Sequence, residues 1–535
     1  MSRWLALLCL CCGALCQAQN LCTNPGAEAV DGKLPGFGLY VGSGAATVSP
    51  SLTERHSGQG SACLDVTGWW HPNNTADTPE NHSVNMSLVL ADSDGYDAAG
   101  AVPGKAGGLY AVSFWYKGNL PTVTVRGTAW PRPDSKQTER TTMPGPSETI
   151  VPGPDWKPFG ATFRLPDKAP YFAVQISATG REKDGYRLGK VYVDDVRIVP
   201  KVWPEGEMRA VWWWGPERRG DREKCLAECT AMLDRLKATG FNTILLMTTS
   251  LYQAAMDRPE LQKDVNEARW DYYGAVVKLA TERGLQVHAW YPPWLYKRPY
   301  SSVELRDHPE WRAIYAGGRE SEDGICFVRP ESRQYQLDLL RRMLERYPDL
   351  AGLHIEEPGH LTCHCEYCAR LAREWLGLDI LADPVGTEGS LRDLAAFMNS
   401  NFFSRLRQMV NQMRPEIWLS ANGSGGANPD WSIGRDWPTW SKRGYIDFYI
   451  PQIYTESPAQ FATLARETQE TLGSGAMVAG MAASWTGIYP RRQDPANLVA
   501  EIRSARQLGA KGFCVFRAGL FEEPHWEALA KATRE

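Results

Sequence analysis

The chain has no basic surplus, no phosphate-binding glycine loop and no apolar run beyond its first residues long enough to cross a bilayer. Its 535 residues carry a formal net charge of -4. That gives no electrostatic case for nucleic acid or an anionic membrane as partner. Lack of a long apolar stretch leaves no membrane span. Lack of the glycine loop weighs against a nucleotide-binding open sheet. What remains is ordinary globular material, 43% hydrophobic and 22% charged, long enough for two to four domains.

The first residues read as a leader. Arg3 supplies positive charge, Leu5 to Leu15 is apolar, and Cys16, Gln17 and Ala18 form a small-residue cleavage site. A signal peptide over 1–18 is expected, with a secreted or periplasmic mature protein. Of 13 cysteines, Cys9, Cys11, Cys12 and Cys16 fall in that leader. The remaining nine are an odd number, so a free thiol or a metal site is required. Aromatics are abundant, with 21 Trp and 21 Tyr. Runs such as Trp212, Trp213 and Trp214 serve either as core or as stacking platforms for sugar rings.

Residues 20–200 are rich in Gly, Pro, Ser and Thr, and their apolar runs alternate. LYAVSFWYKG (109–118), FGATFRL (159–165), YFAVQISA (171–178) and KVYVDDVRIV (190–199) read as strands with no helix between them. This is an all-β sandwich pattern. The opening Asn24-Pro25-Gly26-Ala27-Glu28, the HSGQGSACLDV stretch (56–66) and the closing VYVDDVRI together resemble carbohydrate-binding jelly-roll modules. That resemblance implies a structural calcium held by Glu28 and Asp195. Cys22 and Cys63 could form a disulfide within this module.

After the linker Pro200–Gly206 the pattern becomes strand–helix alternation. Eight strands are predicted, over 208–215, 241–249, 285–293, 351–358, 416–424, 446–455, 476–485 and 512–521. Helical periodicity such as CLAECTAMLDRLKATG (225–240) fills the gaps. Eight repeats over about 330 residues predict a (β/α)8 TIM barrel over 207–535, preceded by the jelly-roll sandwich.

In such barrels chemistry sits at the C-terminal ends of the strands. Those ends offer Trp212 and Trp214, His288 and Trp290, His354 with Glu356 and Glu357, Asn422, Gln452 and Tyr454, Trp485, and Arg517. The set contains no good nucleophilic Ser or Cys, which favours polyol or sugar recognition with carboxylate catalysis over acyl transfer. Alternation along strand four puts His354 and Glu356 on one face, Ile355 and Glu357 on the other. Either acid is a candidate general acid, since two close carboxylates raise one pKa. Glu357 is favoured by the likeness of E-E-P to the N-E-P of many retaining barrel glycosidases. A second carboxylate is expected from Glu456 or, failing that, Glu522 or Glu523. No acid ends strand seven, which argues against the common retaining arrangement. An inverting mechanism, a substrate-assisted one with Tyr454 orienting an N-acetyl group, or no hydrolysis remain.

The segments MRAVWWW, GFNTILLM, GLQVHAWYPPW, HPEW, GLHIEEP and DFYIPQIY resemble the glycosyl-hydrolase-like family 10 barrels, a bacterial family of secreted glycosidases. The resemblance spans roughly 207–530 and implies hydrolysis of glycans such as peptidoglycan. Here A-G-L-H-I-E-E-P replaces the family's usual D-G-I-H-F-D-D-Y, so the acids are one methylene longer. Cys363, Cys365 and Cys368 form a C-x-C-x-x-C cluster. With Cys326 they supply the four ligands of a closed structural zinc site, an arrangement similar to that of family 42 β-galactosidases. His360 or His364 is an alternative ligand, and a local disulfide is the alternative to zinc. Cys225 and Cys229, at i and i+4, and Cys514 are expected to be packing residues.

Overall fold

The structure is a computed structural model that describes residues 19–68, 83–143, 147–181, 188–203, 206–258, 261, 270–293, 302–359, 362–485 and 491–535. Residues 1–18, where a leader is expected, and His360 lie outside the described residues, as does the side chain of Trp485.

Two antiparallel sheets form the N-terminal part. One orders Gly38–Ser43, Ser83–Val89, Tyr171–Arg181, Val123–Trp130 and Thr141–Thr142. The other orders Lys157–Arg164, Leu109–Gly118, Gly189–Lys201, Ser61–Gly68 and Ala45–Ser51. One apolar core, from Met86 and Ile176 on the first to Leu64 and Phe114 on the second, joins them. The expected disulfide is corrected: Cys22 and Cys63 are both free. Cys22 packs in that core with Ala62 and Leu64, whereas Cys63 lies between them in the strand and so faces the other side of its sheet.

The pair expected to hold calcium, Glu28 and Asp195, lies against the 56–59 turn. Glu28 Oε1 accepts the Gln59 amide at 2.8 Å. Asp195 takes the Ser57 hydroxyl and His56 Nδ1, both at 2.6 Å. Both carboxylates therefore take donors from the 56–59 turn and pin it. Among the described residues the only gathering of three or more His, Cys, Asp or Glu suited to a metal is elsewhere, at the four cysteines.

Eight parallel strands then close into a barrel: β1 Met208–Trp213, β2 Thr243–Met247, β3 Gln286–Tyr291, β4 Gly352–Ile355, β5 Trp418–Ser424, β6 Phe448–Gln452, β7 Ala476–Met477 with Ala479–Ala482, and β8 Gly512–Phe516. Each pairs with the next, and β1 pairs with β8 to complete the ring. These strands are buried on both faces, which is why they read as nearly unbroken apolar runs. Alternation sorts them. Val211 and Trp213 pack outward against the helices. Ala210 and Trp212 point inward with Trp290, Trp418, Phe448 and Cys514. Gly480 on β7 makes room for that filling: a Cβ there would lie 2.4 Å from the Pro451 carbonyl and 3.1 Å from the Trp212 ring.

The sandwich docks on the N-terminal pole of the barrel. Asp447, the residue before β6, is fully buried between Lys201 and Arg407, each at 2.9 Å. It also accepts the Thr162 hydroxyl at 3.1 Å and the Leu419 amide at 2.7 Å. Burial alone would raise its pKa, but the two cations hold it below the ordinary carboxylate value. Asn411, on helix Glu388–Met413, donates to the Val112 and Ala161 carbonyls of the sandwich. Trp203 of the linker caps the pole by packing edge-on to Trp418 and Phe448. Since β6 is five residues long, this junction lies roughly 16 Å below the opposite, C-terminal rim.

Candidate active site

At that rim β4 ends with Ile355, and the two glutamates that follow take different paths. His354 points inward, its ring 6.2 Å from Trp212 and its Nδ1 2.9 Å from Ser420 Oγ. Glu356 continues the inward set. Its Oε2 accepts Asn422 Nδ2 at 2.6 Å and the Trp290 indole N–H. Strict alternation would send Glu357 outward with Ile355. Instead Glu357 adopts a left-handed φ of +38°, a conformation that costs a non-glycine residue about 1–2 kcal/mol. Two contacts hold the turn: the Glu357 amide donates to Asn422 Oδ1 at 2.6 Å, and Asn399 Nδ2 donates to the Pro358 carbonyl at 2.6 Å. The Glu357 carboxylate meets Arg435 at 3.4 Å, and Arg435 also pairs with Asp430 at 3.0 Å.

The two acids sit in unlike surroundings. The Glu356 side chain is 13% exposed and that of Glu357 39%. Burial, reinforced by the Glu357 charge, pushes the Glu356 carboxyl up to about 8, against the opposing pull of the Asn422 and Trp290 N–H groups and of Arg435. Glu356 therefore carries its proton at neutral pH. Both donors address Oε2, which leaves Oε1 to hold that proton. Burial drives the His354 imidazole well below its usual pKa, so it is neutral. Tyr454 completes the floor. Its phenol pKa is raised by burial and then by Glu356, Gln452 lies against its hydroxyl, and its ring is 5.6 Å from Phe516.

Trp212 and Trp290 are buried beneath the rim and shape the floor. Trp214 is 42% exposed, with the Arg517 guanidinium stacked 3.5 Å from its ring centroid. His288 is not at the rim. It is fully buried in the barrel, where burial and then Lys201 lower its pKa to about 3. It is the third residue of its strand, and its ring lies 6.1 Å from that of Phe448, low in the barrel. Glu456 is exposed beyond β6, its backbone carbonyl taken by Asn497. The groups acting most strongly on Glu356 are Glu357, Asn422, Trp290 and Arg435, and Glu456 is not one of them. Glu522 and Glu523 pair with Arg492 and Arg235 at the start of the last helix. Strand seven runs out through Ala482, Ala483 and Ser484, so it brings no carboxylate to the rim.

Arg435, Asp430 and Ser420 are the site residues that sequence reasoning missed. Arg435 and Asp430 sit in the irregular segment after β5, where no period predicts direction; Ser420 is one small polar residue inside an apolar strand.

The cysteines gather as expected. The Sγ atoms of Cys326, Cys363, Cys365 and Cys368 all lie within 4.8 Å of one another and all four residues are buried. Two of the separations are 3.4 and 3.8 Å. A disulfide needs about 2.0 Å, so these are free thiols. A tetrahedral ion with metal–sulfur bonds of about 2.3 Å has sulfurs about 3.8 Å apart, so the cluster can hold a metal ion. His364 is buried beside it and is not one of the gathered ligands.

No protein-family model matches the chain, and no curated protein matches it. Among solved structures it is similar to the β-galactosidase of the psychrophilic Marinomonas ef1, at 12% identity over 61% of this chain and 58% of that one, with a TM-score of 0.46. It is also similar to the cold-adapted β-galactosidase of Rahnella sp. R3, at 16% identity over 62% and 57%, TM-score 0.48. The CBM22-1–GH10 modules of a Clostridium thermocellum xylanase match over 94% of this chain and 96% of that one, at 10% identity and TM-score 0.31. The chain spans a little over half the length of the two galactosidases.

Proposed function

We propose that the protein is a secreted or periplasmic glycoside hydrolase acting on a poly- or oligosaccharide of the peptidoglycan type. The observation that carries this is the protonated, buried Glu356 beside the exposed Glu357, at the end of a barrel strand, over a floor of aromatic and amide side chains. Glu356 gives its proton to the glycosidic oxygen as the bond to the anomeric carbon breaks. No acid ends β7, and Glu357 stands beside Glu356 with its carboxylate partly exposed. A substrate-assisted route uses this adjacent pair. The carbonyl oxygen of a 2-acetamido group attacks the anomeric carbon, Glu357 accepts the amide N–H, and Tyr454 orients the group. Water then opens the cyclic intermediate and returns a proton to Glu356.

In this reading the four cysteines bind zinc and fix the loop that follows the two glutamates. Four thiolates leave no position for a reactive water. The sandwich, over 20–200, is read as a jelly-roll carbohydrate module that here braces the pole of the barrel over 207–535. Product analysis on a panel of polysaccharides and peptidoglycan tests the reading. New reducing ends that disappear in Glu356→Gln support it. The bare strand-seven end favours a second reading, a glycan-binding protein without turnover, which predicts binding and no products.

A further inference from the structure

Arg517 follows the last residue of β8 and so stands at the same rim as the glutamates. Its guanidinium lies 3.5 Å from the Trp214 ring centroid and 6.0 Å from that of Phe516, whose ring in turn is 5.6 Å from Tyr454. Arg517 is half-buried, and burial lowers its pKa, opposed by the charge of Glu217. Among the described residues no carboxylate or carbonyl takes its N–H groups: its contacts are the two rings. The contrast with its neighbours is informative. Arg435 is paired with two carboxylates, and Arg219 donates to the Pro216 and Trp214 carbonyls. Stacking fixes the plane of the Arg517 fork and leaves its donor edge for something else. A planar, always-charged fork whose donors no described residue takes matches an oxyanion in two-point geometry, and the 42%-exposed Trp214 beside it is a platform for the sugar that carries the oxyanion.

We infer that the substrate is an anionic glycan, and that Arg517, positioned by Trp214, binds an acidic substituent on the sugar chain and sets specificity. This rests on the glycosidase reading. Three kinds of glycan share the chemistry: lactyl-ether glycans of the peptidoglycan type, uronans and sulfated glycans.

The test is calorimetric binding with the Glu356→Gln protein, so that no substrate is consumed. The probes are peptidoglycan strands, oligogalacturonate, a sulfated oligosaccharide and neutral chitooligosaccharide of matched length. The inference expects one anionic class to bind more tightly than the neutral oligomer. In the Arg517→Gln background the ratio of anionic to neutral affinity should fall by roughly 10- to 100-fold. Arg517→Lys, which keeps the charge but not the fork, should give an intermediate ratio. Whichever anionic class shows the effect identifies the source. Equal affinity for neutral and anionic chains, or a ratio unchanged in Arg517→Gln, overturns the inference and leaves the glycosidase reading standing. Failure of every glycan to bind overturns both.

Discussion

Replacing Glu356 by Gln removes a buried acid whose proton the fold retains, and the consequence for stability has a definite sign. In the unfolded chain Glu356 titrates near its ordinary 4.5; in the folded chain it titrates near 8. Between those values the native state binds more protons than the unfolded state, so stability falls as pH rises and levels off above about 8. A shift of about 3.5 units at roughly 1.4 kcal/mol each bounds the loss at about 5 kcal/mol, shared in part with Glu357 through their coupling. Glu501 is also pushed up to about 8 by burial and adds a similar slope. The difference between wild type and Glu356→Gln cancels it. Urea denaturation from about pH 5 to pH 9 should find the two proteins alike at the acid end and the variant more stable by several kcal/mol at the alkaline end. Parallel curves across that range would refute the claim that Glu356 is held protonated.

Three further outcomes follow from other parts of the molecule. Purified protein should contain one equivalent of zinc by elemental analysis; Cys365→Ser should abolish it, with roughly 2–5 kcal/mol lost in denaturant titration, and zinc-free wild type would contradict the cluster assignment. Asp447→Ala should cost about 3–5 kcal/mol, because it strands Lys201 and Arg407 without a counter-charge; a loss below about 1 kcal/mol by urea denaturation would show that the junction does not depend on the triad. Asn422→Ala removes both a donor to Glu356 and the acceptor of the Glu357 amide, so kcat/KM should fall by about 10- to 100-fold while the alkaline limb of its pH profile moves upward.

The barrel was legible because parallel strands buried on both faces leave apolar runs, and each of the eight strands falls within a predicted segment. The sulfur cluster was legible because three ligands lie in one short loop and only Cys326 had to be added. Period-2 reasoning placed Glu356 correctly but failed one residue later. The left-handed turn at Glu357 is imposed by Asn422 and Asn399, from other parts of the chain, which a local pattern does not register. His288 failed for a related reason. Its position along β3, not its face, decides whether it meets substrate or the lower core, and strand boundaries are blurred by one or two residues in sequence. Cys22 and Cys63 belong to one module but lie on opposite faces of a sheet, which the sequence spacing does not register.

The central claim is that Glu356 is the proton donor to the leaving group. Turnover of a natural glycan should be compared with turnover of the same sugar carrying a dinitrophenyl leaving group, which departs without protonation, in wild type and in Glu356→Gln. The account predicts a fall of roughly 10²–10⁴-fold on the glycan and little change in bond cleavage on the activated substrate. An equal fall on both substrates, or the selective loss appearing in Glu357→Gln instead, would contradict it.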